Sequence, residues 1–422
     1  MDASTDKLVR DLVSRSEASE LDLAAQLLED QLGPEAFQAA LRQQLQVDKS
    51  IIPDAMRDRL ARLHAIPFAA ILTTNYDGLL SGADAQDPAA LGRFAAEVLR
   101  SPPTRFELAW KLVDAPVGTP ISPVLKLHGD AERPASTLIC TREGYRRLLH
   151  GGSSQYSMVL RTLMATKTLL FIGFSFTDNY LNELRSEIAA MFRNQLEAPL
   201  AYAIMSDVPQ AKVDALARHD RLQVISFSTA GGDFSGFDVF LRKIYHQTNP
   251  TIQIGHLMHQ RRILWLAHDW SPMRSVTRLF GYLCNANARA WQWQTGSRQN
   301  LTCQMTQVSS VEEAVVALSD QYDVVVSVFD SDHLSPAATM KLLQSVQMSP
   351  NPAPVIVTGG STTDYPLEAR RSEVMRKGAL CYISNYWKLL EQLCSVLEMA
   401  AQAELAASSF SARMAQATAD PG

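Results

Sequence analysis

The chain has 422 residues, a formal net charge of −5, 46% hydrophobic residues and 20% charged residues. That length holds two or three domains with full cores, and that charge carries no polyanion-binding footprint, so nucleic-acid binding is not expected. No apolar run approaches the roughly 20 residues that span a bilayer. The five cysteines are scattered without a C-x-x-C pair and read as reduced, buried thiols; with an N-terminus too charged for a secretory signal, they make a cytoplasmic, non-membrane protein the expectation.

The chain opens on helices. Apolar spacing predicts them over residues 6–14, 19–31 and 35–45, the last with Pro34 at its first turn, and a fourth from Pro53 to near His64. The first strand is predicted at 68–73. A polar insertion at 81–88 and a helix at 89–100 follow, then strands at 124–127 and 168–172, separated by a helix at 157–165. A helix at 179–192, strands at 200–204 and 222–226 with a helix between them at 210–218, and a closing helix at 237–245 complete this half. Strands alternating with helices imply a largely parallel sheet.

Residues 246–259 are polar and contain Pro250 and Gly255, the pattern of a linker. A second, smaller α/β module then begins, with strands expected at 262–267, 322–329, 355–357 and 380–383. Its helices are expected at 273–284, 310–319, 335–347, 367–377 and 386–399. The expected organisation is 1–248, a linker at 249–260, a second domain at 261–400 and an Ala/Ser-rich flexible tail at 401–422.

Three strands of the first half stop abruptly at small and polar residues: Thr73, Thr74, Asn75 and Asp77; then His128 and Asp130; then Gly173, Ser175 and Asp178. In open parallel sheets, ligands sit at such strand ends. Asn is neutral and bifunctional and can hold a sugar hydroxyl or orient a water. His titrates near neutral pH and can take a proton from either. Carboxylates such as Asp77 and Asp130 accept hydrogen bonds, and Gly173 and Ser175 let backbone amides approach a phosphate or ribose. The set suits a sugar–phosphate ligand cleaved at a glycosidic bond. No metal constellation and no paired glycosidase carboxylates are present at a recognisable spacing. Taken singly, Asn75 reads better as a turn residue and His128 as a structural histidine; together and in this order they point to a site.

The segments TTNYD, KLHGD and GFS, in this order, resemble the T-Q-N-x-D, L-H-G and G-T-S segments of the sirtuin-like NAD-consuming family. Their form here is most similar to the sirtuin-like domains of bacterial anti-phage defence proteins. The resemblance covers residues 1–245 and implies a Rossmann-like parallel sheet with NAD as substrate. It implies that Asn75 positions the nicotinamide ribose and an attacking water, and that His128 is the catalytic base. Thr73, Thr74, Asp77, Gly173, Phe174 and Ser175 fall at binding positions, Thr74 in place of the usual Gln. It further implies a homo-oligomer, with a partner ATPase or phage-sensing protein. Two departures stand out. The four-Cys zinc ribbon of sirtuins is absent, since residues 133–165 contain only Cys140, which argues against protein deacylation and gives no zinc. The usual opening strand and G-A-G-x-S phosphate loop are also missing, so either the true start lies upstream or the sheet is short of a strand. That leaves a non-catalytic assembly subunit as the alternative to an NAD hydrolase.

In the second module, RILWLAHD, YDVVVSVFD, PVIVTGG and GALCYIS resemble the response-regulator receiver domain, a flavodoxin-like doubly wound fold. The resemblance places Asp269 after the first strand, Asp330 at the phosphoacceptor position and Thr358 at the Ser/Thr position. His268 replaces one acid and the usual Lys is missing near Ser384, which makes a degenerate receiver, used for docking or dimerisation, the expectation. Trp265, Trp270, Trp291 and Trp293 suit packing.

Overall fold

A computed structural model of the chain describes residues 10, 13, 18–114, 120–150, 154–174, 186, 201–266, 304–328, 335–359, 367–383 and 388–403. It divides into two compact units, residues 1–102 with 116–245 and residues 103–115 with 246–422. In chain order the elements are α1 (Ala18–Leu32), α2 (Pro34–Leu45), α3 (Asp54–Ala65), β1 (Ile71–Thr73), β2 (Ala83–Asp84), α4 (Pro88–Leu99), α5 (Arg105–Asp114), β3 (Val124–Lys126), α6 (Arg142–His150), α7 (Ser154–Thr166) and β4 (Leu169–Ile172). They continue with β5 (Ala201–Ser206), α8 (Gln210–Asp220), β6 (Leu222–Phe227), α9 (Ser235–Thr248) and α10 (Pro250–Met258). The last are β7 (Arg262–Leu266), β8 (Gln304–Val308), α11 (Val311–Ala317), β9 (Val324–Val328), α12 (Pro336–Gln347), β10 (Val355–Thr358), α13 (Leu367–Arg376) and β11 (Cys381–Ile383). Residues 389–403 are also helical.

All strand pairs are parallel, as the alternation of strand and helix predicted. In the first unit they form two three-stranded sheets, β1-β3-β2 and β4-β5-β6. Leu72 of β1 and Leu169 of β4 pack against one core, built from Leu125 and Leu127 with Leu91, Phe94 and Val98 of α4 and Leu160 and Leu163 of α7. Yet among the described residues no hydrogen bonds join β1 to β4, and both strands are only half-buried along their length. A strand inside a covered parallel sheet is buried on both faces, as β3 is. Among the described residues the first unit therefore holds two short sheets, the second with its own small core of Ala201, Ala203 and Leu222, and β1 and β4 stand at their edges.

Local chemistry sets several helix starts. Pro34 and Pro88 occupy the first turns of α2 and α4, where their missing N–H is no loss. The Asp87 carboxylate accepts the Ala89 N–H at 2.9 Å and caps α4.

The second unit holds one five-stranded sheet in the order β11-β10-β9-β7-β8. Counted within the unit this is 2-1-3-4-5, the doubly wound order of flavodoxin-like folds. Strands β7, β9 and β10 are buried almost throughout, with Trp265 in the core, and helices supply Leu342, Leu343, Leu389 and Leu393.

Three expectations change here. The stretch read as a linker is the end of α9 and all of α10. Asn249 Oδ1 accepts the Ile252 N–H at 3.2 Å, Pro250 starts the helix, and Ile252, Ile254 and Met258 are buried. Residues 103–115, inside the expected first domain, belong to the second unit, because Ala109 and Phe106 of α5 pack into its core and Arg105 pairs with Glu398. The polar insertion at 81–88 carries β2, which pairs with β3. The predicted helices at 179–192 and 273–284 lie outside the described residues.

Candidate functional site

β1 and β3 pair in parallel with Thr73 opposite Lys126. Asn75 and His128 each lie two residues beyond that pair, so the two loops leave the sheet side by side. Leu127 N–H reaches Thr73 O at 2.9 Å, Ala131 N–H reaches Tyr76 O at 2.8 Å, and the Lys126 ammonium donates to Asn75 O at 3.3 Å and to Asp77 O. The carbonyls of residues 75, 76 and 77 are thus all turned toward the β3 side, while Asn75 itself is exposed. Thr73 Oγ1 accepts the Asn75 N–H at 3.1 Å, and Asp77 Oδ1 accepts the Leu79 N–H at 3.0 Å. Of the predicted binding residues, Thr73 and Asp77 therefore shape the turn that displays Asn75. Thr74 is half-buried beside it.

His128 is 6% exposed. Its ring meets Tyr145 edge-on, with centroids 5.1 Å apart, and the Tyr145 hydroxyl stands 3.5 Å from Nδ1, at the outer limit of a hydrogen bond. The Tyr76 ring lies 6.4 Å away, its hydroxyl donating to Ile139 O at 2.6 Å. The backbone of His128 is fixed by the Ile139 N–H, 2.9 Å from its carbonyl. Gly129 turns at a φ of 95°, and a Cβ there would lie 2.3 Å from Thr137 O, so glycine is required twice over.

The loop after Gly129 is tied down on both sides. Asp130 is buried, and its carboxylate accepts the Glu132 N–H at 3.0 Å and faces Arg133 at 3.6 Å, which makes it a turn-former. From α2, Gln38 makes a two-way bond to Leu138, through its N–H and its carbonyl, each at 2.9 Å. Arg42 donates to the carbonyls of Asp130 and Arg133, at 3.2 and 2.7 Å, and of Ser136. The N-terminal helices thereby hold the strap that carries His128.

At the end of β4, Gly173 has a φ of 63°, and no described residue comes within 4 Å of where a Cβ would stand. Phe174 meets Phe171 at a tilt, with ring centroids 5.3 Å apart, and packs against the β1/β3 core. Ser175 and Asp178 lie outside the described residues, as do Asp269 and Asp330. Thr358 closes β10, wholly buried, with its hydroxyl 3.5 Å from Ser327 O.

A cavity of about 670 Å³ lies in this unit but is walled by Gln38, Arg42, Gln86, Thr137 and Arg147 on the α2 side of the strap. Asn75, His128 and Gly173 do not line it, and the side chains that hold the strap already occupy its polar wall, so the strand ends remain the better candidate. Burial pushes the Cys140 thiol up to about 12, leaving it inert. Among the described residues no cluster of three or more His, Cys, Asp or Glu side chains could hold a metal ion, and no helix is long and apolar enough to cross a membrane.

Residues 69–225 match the model of the SIR2-like domain. This SIR2-like segment contains Asn75, His128 and Gly173 and the described strands β1 to β5, and it ends within β6. The chain is also similar to two proteins named NAD(+) hydrolase ThsA. The one from Enterococcus faecium is 30% identical over 131 residues, 31% of this chain and 24% of the relative. The one from Cytobacillus dafuensis is 26% identical over 148 residues, 35% of this chain and 27% of the relative. The chain thus spans about a quarter of the length of these relatives.

Lys126, Tyr145, Gln38 and Arg42 went unnoticed in the sequence reading. Lys126 alone carried a signal, as a charge inside an apolar strand.

Proposed function

We propose that the SIR2-like segment hydrolyses NAD to nicotinamide and ADP-ribose. The observation that carries this is the side-by-side departure of the Asn75 and His128 loops from paired strands β1 and β3. The similarity to proteins named NAD(+) hydrolases supports it. The exposed Asn75 amide would hold the nicotinamide ribose and a water. His128, buried against Tyr145, would take the proton as that water attacks the anomeric carbon. Cleavage passes through an oxocarbenium-like state, so a neutral Asn and a base suffice at the ribose. Gly173, at a strand end and with a positive φ, suits the approach of the adenosine side. We further propose a cytoplasmic role in anti-phage defence, as a homo-oligomer with a partner ATPase or phage-sensing protein. The second unit would regulate the first, and its strand order supports a flavodoxin-like, receiver-like module.

One observation favours a second reading. Among the described residues β1 and β4 are half-buried edges, and no continuous sheet runs between their ends. A non-catalytic SIR2-like assembly subunit would have that property. Product analysis separates the two. Incubation with NAD in H₂¹⁸O should release nicotinamide and ADP-ribose carrying one ¹⁸O at the anomeric position. Intact NAD, beside stable co-purification with a partner, would favour the assembly subunit. Transfer of an acyl group to ADP-ribose would point to deacylation instead.

A further inference from the structure

We propose that Lys126 is a positioning residue, whose ammonium clamps the Asn75 and Asp77 carbonyls and so fixes the loop that displays the Asn75 side chain. Lys126 is wholly buried in β3, the middle strand of its sheet, between the buried Leu125 and Leu127. A lysine in such a place is costly unless it is paired, and a methionine would fill the strand without that cost. What lysine adds is a set of donors on a long stem, and they go to the 75–77 loop. Its ammonium lies 3.3 Å from Asn75 O and also donates to Asp77 O. The intervening Tyr76 O is taken by the Ala131 N–H.

Three successive carbonyls are therefore bound, while Asn75 itself stays exposed. Thr73 Oγ1 and Asp77 Oδ1 hold only amides of this loop, so they cannot replace the clamp on its carbonyls. Burial pulls the Lys126 ammonium below its ordinary range, and the carboxylates of Asp130, Asp77 and Glu132 counter that only in part. Lys126 touches no open surface, so it acts through the loop and not on a ligand.

That Asn75 needs positioning for NAD cleavage rests on the hydrolase reading, whereas the clamp does not. The test is hydrogen exchange by mass spectrometry on the full chain, comparing Lys126→Met and Lys126→Arg with the parent. In Lys126→Met the amides of 75–79 should exchange about tenfold faster, with those of β7 unchanged. Lys126→Arg, which keeps a buried cation with donors, should stay within about threefold of the parent. Should Lys126→Met not fold, Lys126→Gln, too short to span both carbonyls, carries the same expectation. Unchanged exchange at 75–79 in the neutral variant would overturn the clamp. For NAD cleavage, Lys126→Met should lower kcat with KM nearly unchanged, and Lys126→Met/Asn75→Ala should lose no more than Asn75→Ala alone. Additive losses would make Lys126 merely structural. A parent chain that leaves NAD intact would defeat the hydrolase reading, and the exchange data would still decide the clamp.

Discussion

Gly129 and Gly173 both adopt positive φ, at 95° and 63°, yet alanine should be tolerated very differently at the two positions. At Gly173 a Cβ meets no described residue within 4 Å, so Gly173→Ala costs backbone strain, about 1–2 kcal/mol. At Gly129 the same strain is joined by a clash. The new Cβ would lie 2.3 Å from Thr137 O, against roughly 3.3 Å for an ordinary carbon–oxygen contact. Thr137 O accepts the Gln86 side-chain N–H at 2.6 Å, so its withdrawal forfeits that bond, worth about 1 kcal/mol. Strain, overpacking and the lost bond together come to about 3–5 kcal/mol. For a unit of this size, that lowers Tm by roughly 6–20 °C, against roughly 2–8 °C for Gly173→Ala. Differential scanning calorimetry of both variants measures the contrast. If Gly129→Ala melts no lower than Gly173→Ala, the packing of the strap behind His128 is not as described.

Arg42→Ala removes three bonds to the strap and should cost about 2–3 kcal/mol, with faster amide exchange over 130–138; a melt within about 1 °C of the parent would deny the strap its anchor. Burial holds His64 below its usual range, so the unfolded chain binds the extra proton. Its contribution is present above the ordinary histidine range and lost as pH falls below it. Melts from pH 8 to pH 5 should therefore decline less in His64→Leu than in the parent, and parallel curves would contradict this. Cys140 and Cys394, both raised to about 12, should resist iodoacetamide at pH 8 in the folded chain and react after denaturation, which peptide mapping can follow.

Much of the fold was legible because the parallel strands are short apolar runs that end at polar residues. The strands at β3, β4, β9 and β10 were read from that signal to within a few residues. What escaped had weaker or misleading local chemistry. β8 is an edge strand reading Gln-Met-Thr-Gln-Val, whose alternating polar residues hide it. In α6, Arg142, Arg146 and Arg147 mask the face that brings Tyr145 to His128 and Leu148 to the core. α5 packs with a unit that begins well over a hundred residues later, and no local pattern encodes that choice. In the candidate site, the residue types at the strand ends pointed to Asn75 and His128. Their supports did not follow from the sequence, because Gln38 and Arg42 act across 88 or more residues and bind backbone carbonyls or amides, which carry no side-chain identity. Lys126 is the exception. Its charge within an apolar strand demands partners, and the demand alone could have led to the loop it holds.

The most direct measurement is nicotinamide release from NAD by the purified chain, with His128→Ala and Asn75→Ala beside it and their folding checked by calorimetry. The parent should release nicotinamide, and each variant should lose at least about a hundredfold while still unfolding cooperatively. Release that survives His128→Ala, or a parent that leaves NAD intact, would contradict the hydrolase reading.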